Sequence, residues 1–107
     1  MTCFVDLRPL AQGHATSAHE WWQKNRPAAP DLFADEFAES IRILEQTPDV
    51  GKIYRRRGIP HLRRLLMLRT QFHIYYVHVP DQTRVFILAI WNALRRRGPP
   101  LRPVATT

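Results

Sequence analysis

The stretch RVFILAIWNALRRRGPP, residues 84–100, joins an apolar run to a cluster of arginines. The run at 85–91 is far shorter than a membrane span and predicts a buried β-strand. The arginines at 95–97 follow it, and Pro99 and Pro100 then interrupt any regular structure. The arginines can be a catalytic cluster, a docking surface for a polyanion or a solvated tail. The rest of the sequence is needed to distinguish these three interpretations.

Two further strand patterns precede this stretch. LRRLLML at 62–68 and FHIYYVHV at 72–79 are rich in β-branched, aromatic and leucine residues. RTQ and PDQT separate the three runs, and these lengths are typical of hairpin loops. The runs predict an antiparallel meander, preceded at 52–61 by a basic connection of low regularity.

The first half of the chain has helical periodicity. A short strand is predicted at 3–8, and apolar residues from Leu10 to Trp22 then recur at helical spacing. NRPAAPD at 25–31 ends this first helix. A second helix follows, with an apolar face that consists of Phe33, Phe37, Ile41 and Leu44. Its other face is acidic and carries Asp35, Glu36, Glu39 and Glu45. The predicted order is βααβββ, an α+β fold in which the N-terminal strand and an α-helical hairpin pack on a small antiparallel sheet.

Length and composition place the chain among small globular proteins. We expect one domain at 1–98 and an irregular, proline-rich tail at 99–107. No apolar stretch approaches the roughly 18 residues of a membrane helix, and the N-terminus does not resemble a signal peptide. Cys3 is the single cysteine and forms no internal disulfide. We therefore expect a cytoplasmic protein without a membrane segment.

Charge is distributed unevenly along the sequence. Residues 1–50 contain four basic and eight acidic residues, whereas residues 51–107 contain twelve basic residues and only Asp81. All the basic residues except Lys24 and Lys52 are arginines, the side chain suited to bidentate contact with carboxylate or phosphate. Nine arginines of the second half flank the predicted sheet and can therefore form one basic face. They are Arg55, Arg56, Arg57, Arg63, Arg64, Arg69, Arg95, Arg96 and Arg97.

The five histidines do not form a metal-ligand pattern. His14 and His19 fall on different faces of a helix, and His73 and His78 fall on opposite faces of a strand. We expect no metal and no cofactor. His73 beside Arg64 is either a surface pair or a divergent acid–base pair, because histidine titrates near neutral pH.

The order of these motifs resembles the RelE/ParE family of toxins from type II toxin–antitoxin systems. FADEFAESIRILEQTPDVG contains the second predicted helix, and its sequence pattern ends in L-x-x-x-P-x-x-G, formed by Leu44, Pro48 and Gly51. The segments HLRRLLMLRTQFHIYYVHV and VFILAIWNALRRRGPPL, which contain the predicted strands, follow. The resemblance covers about residues 3–101. It implies a helical hairpin on an antiparallel sheet, and a cognate antitoxin that forms a hetero-oligomer with the toxin.

The resemblance leaves two mechanisms open. RelE-like members cleave mRNA on the ribosome with basic residues on the middle strands and a C-terminal tyrosine. Here Leu66, His73 and Ala93 fall near positions where the family has lysine or arginine, and no tyrosine follows Tyr76. The ending WNALRRRGP looks more like the ParE branch, whose target is DNA gyrase.

The favoured interpretation is therefore a ParE-like inhibitor of DNA gyrase without catalytic residues. Its predicted target contacts are Trp91, Arg95, Arg96 and Arg97. The alternative is a RelE-like ribonuclease, with a reactive cluster made of Arg64, Arg69, His73 and Arg95. A third interpretation is a binding module with the same fold that is not toxic. For antitoxin contact we predict Trp21, Tyr75, Arg63 and Arg64. Tyr75 and Tyr76 should point to opposite faces of the sheet, one under the helices and the other on an open face.

Overall fold

The computed structural model describes residues 2–104 and contains two helices and a five-stranded sheet. The N-terminal half of the chain forms β1 (Phe4–Leu7), α1 (Pro9–Asn25) and α2 (Leu32–Gln46). The C-terminal half forms β2 (Lys52–Ile53), β3 (Leu62–Met67), β4 (Phe72–Val79) and β5 (Arg84–Asn92). The predicted α+β class and element order are confirmed, and β2 is a short additional strand within the connection expected to be irregular.

The sheet is mixed rather than wholly antiparallel. Its strand order is β1-β5-β4-β3-β2, and β2 to β5 form the predicted antiparallel meander. β1 instead runs parallel to β5, with Phe4 opposite Arg84 and Leu7 opposite Ile87. Alternation along a strand identifies the strand but not its partner, so the sequence did not reveal this pairing.

The helices cover one face of the sheet and bury the main core. Ala11 of α1 and Phe33 and Leu44 of α2 are almost completely buried there, against Ile74 and Tyr76 of β4. Trp22 packs against this core and Trp21 is 46% exposed, so the two tryptophans differ as their helical spacing indicates. Tyr76 is the tyrosine that lies under the helices, and the expectation that one of Tyr75 and Tyr76 does so is confirmed.

Glu36 is an exception to the predicted acidic face of α2. Its side chain is buried, and its carboxylate accepts hydrogen bonds from the backbone N–H groups of Arg69 and Thr70 at 2.7 and 2.9 Å. The Thr70 hydroxyl donates a third bond, at 2.7 Å. Glu36 therefore fastens the β3–β4 turn to α2, a contact that helical periodicity cannot predict.

The second face of the sheet is also covered, which corrects the expectation of an open face. Tyr75 is only 3% exposed and belongs to a second core cluster with Ile59, Leu62 and Phe86. The segment around Ile59 and residues 99–104 lie over this cluster, in which Leu101 and Val104 take part. The predicted tail is irregular as far as residue 104 but is packed on the sheet, and residues 105–107 lie outside the described part.

Candidate functional site

A cleft separates α1 from the ends of β4 and β5 and has a volume of about 510 Å³. We call it the α1–β5 cleft. It brings together four residues that the sequence singled out for different reasons, namely Trp21, Arg69, Trp91 and Arg95. Its wall also contains residues that the sequence analysis did not select as site residues, among them His14, Trp22, Arg26 and Thr70.

Arg95 and Trp91 form a stacked pair at the C-terminal end of β5. The Arg95 guanidinium carbon lies 4.3 Å from the centroid of the Trp91 ring, within the range of a cation–π contact. The Trp91 indole N–H donates to the Arg97 carbonyl at 2.7 Å, which holds the ring against the following loop. The strand therefore presents Arg95 on a fixed aromatic support although the side chain is exposed.

His14 of α1 completes this corner of the cleft. Its ring lies 5.4 Å from that of Trp91, and its Nδ1 accepts the Ile90 backbone N–H at 3.1 Å. That bond requires an unprotonated Nδ1, so neutral His14 carries its proton on Nε2. Burial, and secondarily the positive charge of Arg95, lower the pKa of His14 below 6.5. His14 is therefore a neutral hydrogen-bond donor at physiological pH.

The opposite wall is formed by the end of α1 and the β3–β4 turn. The guanidinium of Arg26 lies 5.0 Å from the Trp21 ring and 5.8 Å from the Trp22 ring. Arg69 reaches the cleft from the turn whose backbone Glu36 holds. Because helix, turn and strand end meet only in the folded chain, spacing in the sequence gave no signal for Arg26, His14 or Glu36.

Arg64 and His73 lie on the second face of the sheet. Arg64 is paired with Tyr75 in register and stacks on Tyr54 at 4.7 Å. The His73 ring lies 5.9 Å from the ring of Tyr75, the residue opposite Arg64, so Arg64 and His73 flank the same tyrosine. Burial, and secondarily the charge of Arg64, lower the pKa of His73 below 6.5. Of the residues proposed for a ribonuclease, Arg69 and Arg95 line the cleft, while Arg64 and His73 lie on this face. His73 is in register with Trp91, the ring on which Arg95 stacks, so the two groups meet at that indole.

The predicted single basic face is wrong for Arg63. Adjacent residues of a strand point to opposite faces, and Arg63 is in register with Tyr76 on the helix side. Its guanidinium donates to the Gly51 carbonyl at 2.7 Å and lies 3.8 Å from the Asp49 carboxylate. Among the predicted antitoxin contacts, Arg63 is therefore occupied, Tyr75 is covered and Trp21 is exposed.

Within residues 2–104, no group of three or more histidine, cysteine or carboxylate side chains is arranged to hold a metal ion. Neither helix in that range combines the length and apolar character needed to cross a membrane.

The sequence profile of a family described as "ParE toxin of type II toxin-antitoxin system, parDE" matches residues 5–97. No curated protein sequence matches the chain significantly. Among solved structures, the fold is similar to a chain of the chromosomal ParDE system from P. aeruginosa, with a TM-score of 0.67, 16% identity and coverage of 85% of this chain and 96% of that chain.

Two RelE structures also have a similar fold. For the RelBE2 toxin–antitoxin complex from Mycobacterium tuberculosis the TM-score is 0.62, with 19% identity and coverage of 86% of this chain and 99% of that chain. For the isolated RelE toxin from E. coli the TM-score is 0.52, with 18% identity and coverage of 87% and 86%. At these identities the likeness shows the fold alone.

Proposed function

Because this chain belongs to the ParE toxin family of type II toxin–antitoxin systems, we propose that it arrests growth by binding DNA gyrase, without catalysing a reaction. The profile match over residues 5–97 carries the proposal, since it favours the ParE branch over the RelE branch. Its site of action is then the cytoplasm, where gyrase acts on DNA.

The arginines after β5 are the proposed contact with the target. Arg95, Arg96 and Arg97 are all exposed, and none of the ion pairs found in residues 2–104 involves them. Arg95 is in addition held against the Trp91 ring. Guanidinium groups without a carboxylate partner are available for bidentate contact with carboxylate or phosphate on another molecule. This supports a docking surface rather than a solvated tail.

A cognate antitoxin is the proposed second partner. Chains of similar fold occur in ParDE and RelBE toxin–antitoxin systems. In this chain the exposed Trp21 and the partly exposed Arg64 remain the accessible members of the predicted antitoxin contacts. Complex formation with an antitoxin would then cover part of the basic surface and neutralise the toxin.

A RelE-like ribonuclease is the second candidate, and the Arg64–His73 pair favours it. His73 is neutral near pH 7 and lies near a guanidinium that can stabilise a phosphorane, so the pair has the elements of general base and electrostatic catalysis. The pair supplies no acid for the leaving group, and Arg69 reaches the cleft instead. Arg95 stacks on Trp91, the cross-strand neighbour of His73.

Induced expression in cells without antitoxin tests the proposal. We expect SOS induction and double-strand DNA breaks, with intact abundant mRNAs by primer extension. Replacing Arg95, Arg96 and Arg97 together by alanine should weaken growth arrest by roughly tenfold or more in inducer dose. The Arg64→Ala/His73→Ala double variant should remain toxic.

Arg42→Ala serves as the control, because Arg42 is an exposed arginine of α2. Codon-phased mRNA cuts before any DNA damage, abolished in the Arg64→Ala/His73→Ala variant, would replace the gyrase proposal with the ribonuclease. Growth unaffected in both assays would favour the non-toxic binding module.

A further inference from the structure

The α1–β5 cleft has aromatic walls on two sides. All three tryptophans of the chain, Trp21, Trp22 and Trp91, line it. Trp21 and Trp22 meet edge to face with ring centroids 5.9 Å apart, and Trp21 is 46% exposed. Flat, partly exposed indole rings suit the faces of a planar ligand, since base–aromatic stacking tolerates any nucleobase.

The charge of the cleft is positive and without internal compensation. Arg26, Arg69 and Arg95 reach it from the end of α1, from the β3–β4 turn and from the segment after β5. No aspartate or glutamate occurs among the described residues that line it. The Glu36 carboxylate contacts the backbone of Arg69 but already accepts three hydrogen bonds. The guanidinium groups are therefore available to bind an anion.

The polar side chains and the volume of the α1–β5 cleft are also those of a small-molecule binding site. The Nε2–H of neutral His14 is a donor, and Ser17, Gln71 and Asn92 also line the cleft. The volume of about 510 Å³ falls within the range of roughly 300–1,000 Å³ that is usual for ligand pockets.

We propose that the α1–β5 cleft binds a nucleotide, with its base against the tryptophan walls and its phosphate on the arginine guanidinium groups. Guanidinium groups bind phosphate oxygens bidentately, and the aromatic walls supply stacking for the base. An acidic peptide would match the charge alone and would leave the flat aromatic walls without a planar partner. The nucleotide can be free or an unpaired member of a strand, because both present the same base and phosphate.

Tryptophan fluorescence gives a direct test, since every indole of the chain lies in the cleft. The purified full chain is titrated with AMP and, separately, with a short oligothymidylate, with excitation at the red edge where nucleobases do not absorb. We expect saturable quenching. Arg69→Ala and Arg95→Ala should each weaken binding by roughly tenfold, as expected for loss of a charged hydrogen bond. Both side chains are exposed, so these variants should fold.

Arg42→Ala is the matched control, because it removes one exposed arginine at a site outside the cleft and should bind as the wild type does. Saturable quenching by AMP assigns the cleft to free nucleotides, whereas quenching by the oligothymidylate alone assigns it to unpaired nucleotides of a strand.

Three results would overturn the proposal: no binding of either probe, equal weakening by Arg42→Ala, or equally tight binding of a poly-glutamate peptide. The last result would show that the cleft recognises acidic protein segments. The assay contains no gyrase, so its outcome is independent of the proposed target.

Discussion

Gly51 occupies a position at which the chain has no room for a side chain. Its N–H donates to the Tyr76 hydroxyl at 2.8 Å and its carbonyl accepts from Arg63 at 2.7 Å. A Cβ atom here would lie 2.6 Å from the Tyr76 hydroxyl oxygen and 2.9 Å from the Arg64 carbonyl oxygen. The glycine that ends the predicted helix motif is thus required by close approach to the sheet.

Gly51→Ala should destabilise the protein by about 1–3 kcal/mol, the usual cost of overpacking. Gly13→Ala is the control, because Gly13 lies within α1 and no neighbouring element comes within 4 Å of the place a methyl group would take. That substitution should stabilise the protein by about 0.5–1 kcal/mol. Urea unfolding measures both. Adding Tyr76→Phe to Gly51→Ala should not restore stability, since the Arg64 carbonyl still blocks the methyl group.

His14 makes the stability depend on pH. Its pKa is lowered in the folded protein below 6.5, and only its unprotonated Nδ1 can accept the Ile90 N–H. The unfolded chain therefore binds the proton more readily, and stability should fall as the pH drops through 6.5 towards the pKa of the folded state. His73 contributes with the same sign, because its pKa is also lowered.

His14→Gln should reduce the loss of stability between about pH 8 and pH 5, the range in which histidines titrate. Urea midpoints measured across this range give the comparison, and His61→Asn, at an exposed position with positive φ, serves as the control. An unchanged pH dependence in His14→Gln would contradict the role of the Ile90 hydrogen bond.

At the scale of elements, a buried carboxylate connects α2 to the β3–β4 turn. Glu36 lies on a helix whose other glutamates are more exposed, and it supplies the acceptor that the backbone donors of a tight turn lack. Buried donors that lose a charged acceptor are costly. The contact also positions Arg69 at the cleft, so the packing of two elements decides part of the candidate site.

Glu36→Ala should lower the free energy of unfolding by about 2–4 kcal/mol, because two backbone donors and one hydroxyl lose their acceptor. Glu36→Gln should cost less, since its amide oxygen still accepts. Glu39→Ala, exposed on the same helix, should stay within about 0.5 kcal/mol of the wild type. Equal effects of Glu36→Ala and Glu39→Ala in urea unfolding would contradict this assignment.

At the scale of the whole molecule, the net charge of +7 acts on a body of 42 × 31 × 22 Å. The Debye length is about 30 Å in 0.01 M salt and about 10 Å in 0.1 M salt. In dilute salt nearly all charges of the protein therefore interact, whereas at higher salt only neighbours do. The excess positive charge then opposes the compact state.

The urea midpoint should rise when NaCl is raised from about 0.01 to about 0.1 M, because repulsion among the arginines is screened. Replacing Arg95, Arg96 and Arg97 by glutamine should reduce this salt effect, since these exposed cations have no ion-pair partner among the described residues. A midpoint that falls with salt in the wild type would mean that attractive pairs outweigh the repulsion.

By itself, the sequence determined the order of elements, the core face of α2 and the opposite orientations of Tyr75 and Tyr76, because hydrophobic periodicity records which side of a helix or strand is buried. It also determined the family resemblance and the excess of arginine in the second half.

Only the tertiary structure decided the parallel pairing of β1, the burial of Glu36 and the cover over Tyr75. These depend on contacts between residues far apart in the chain, such as Glu36 with Thr70 and His14 with Ile90, which local periodicity does not encode. The α1–β5 cleft exists for the same reason, since its arginines and tryptophans come from separate elements that meet only on folding.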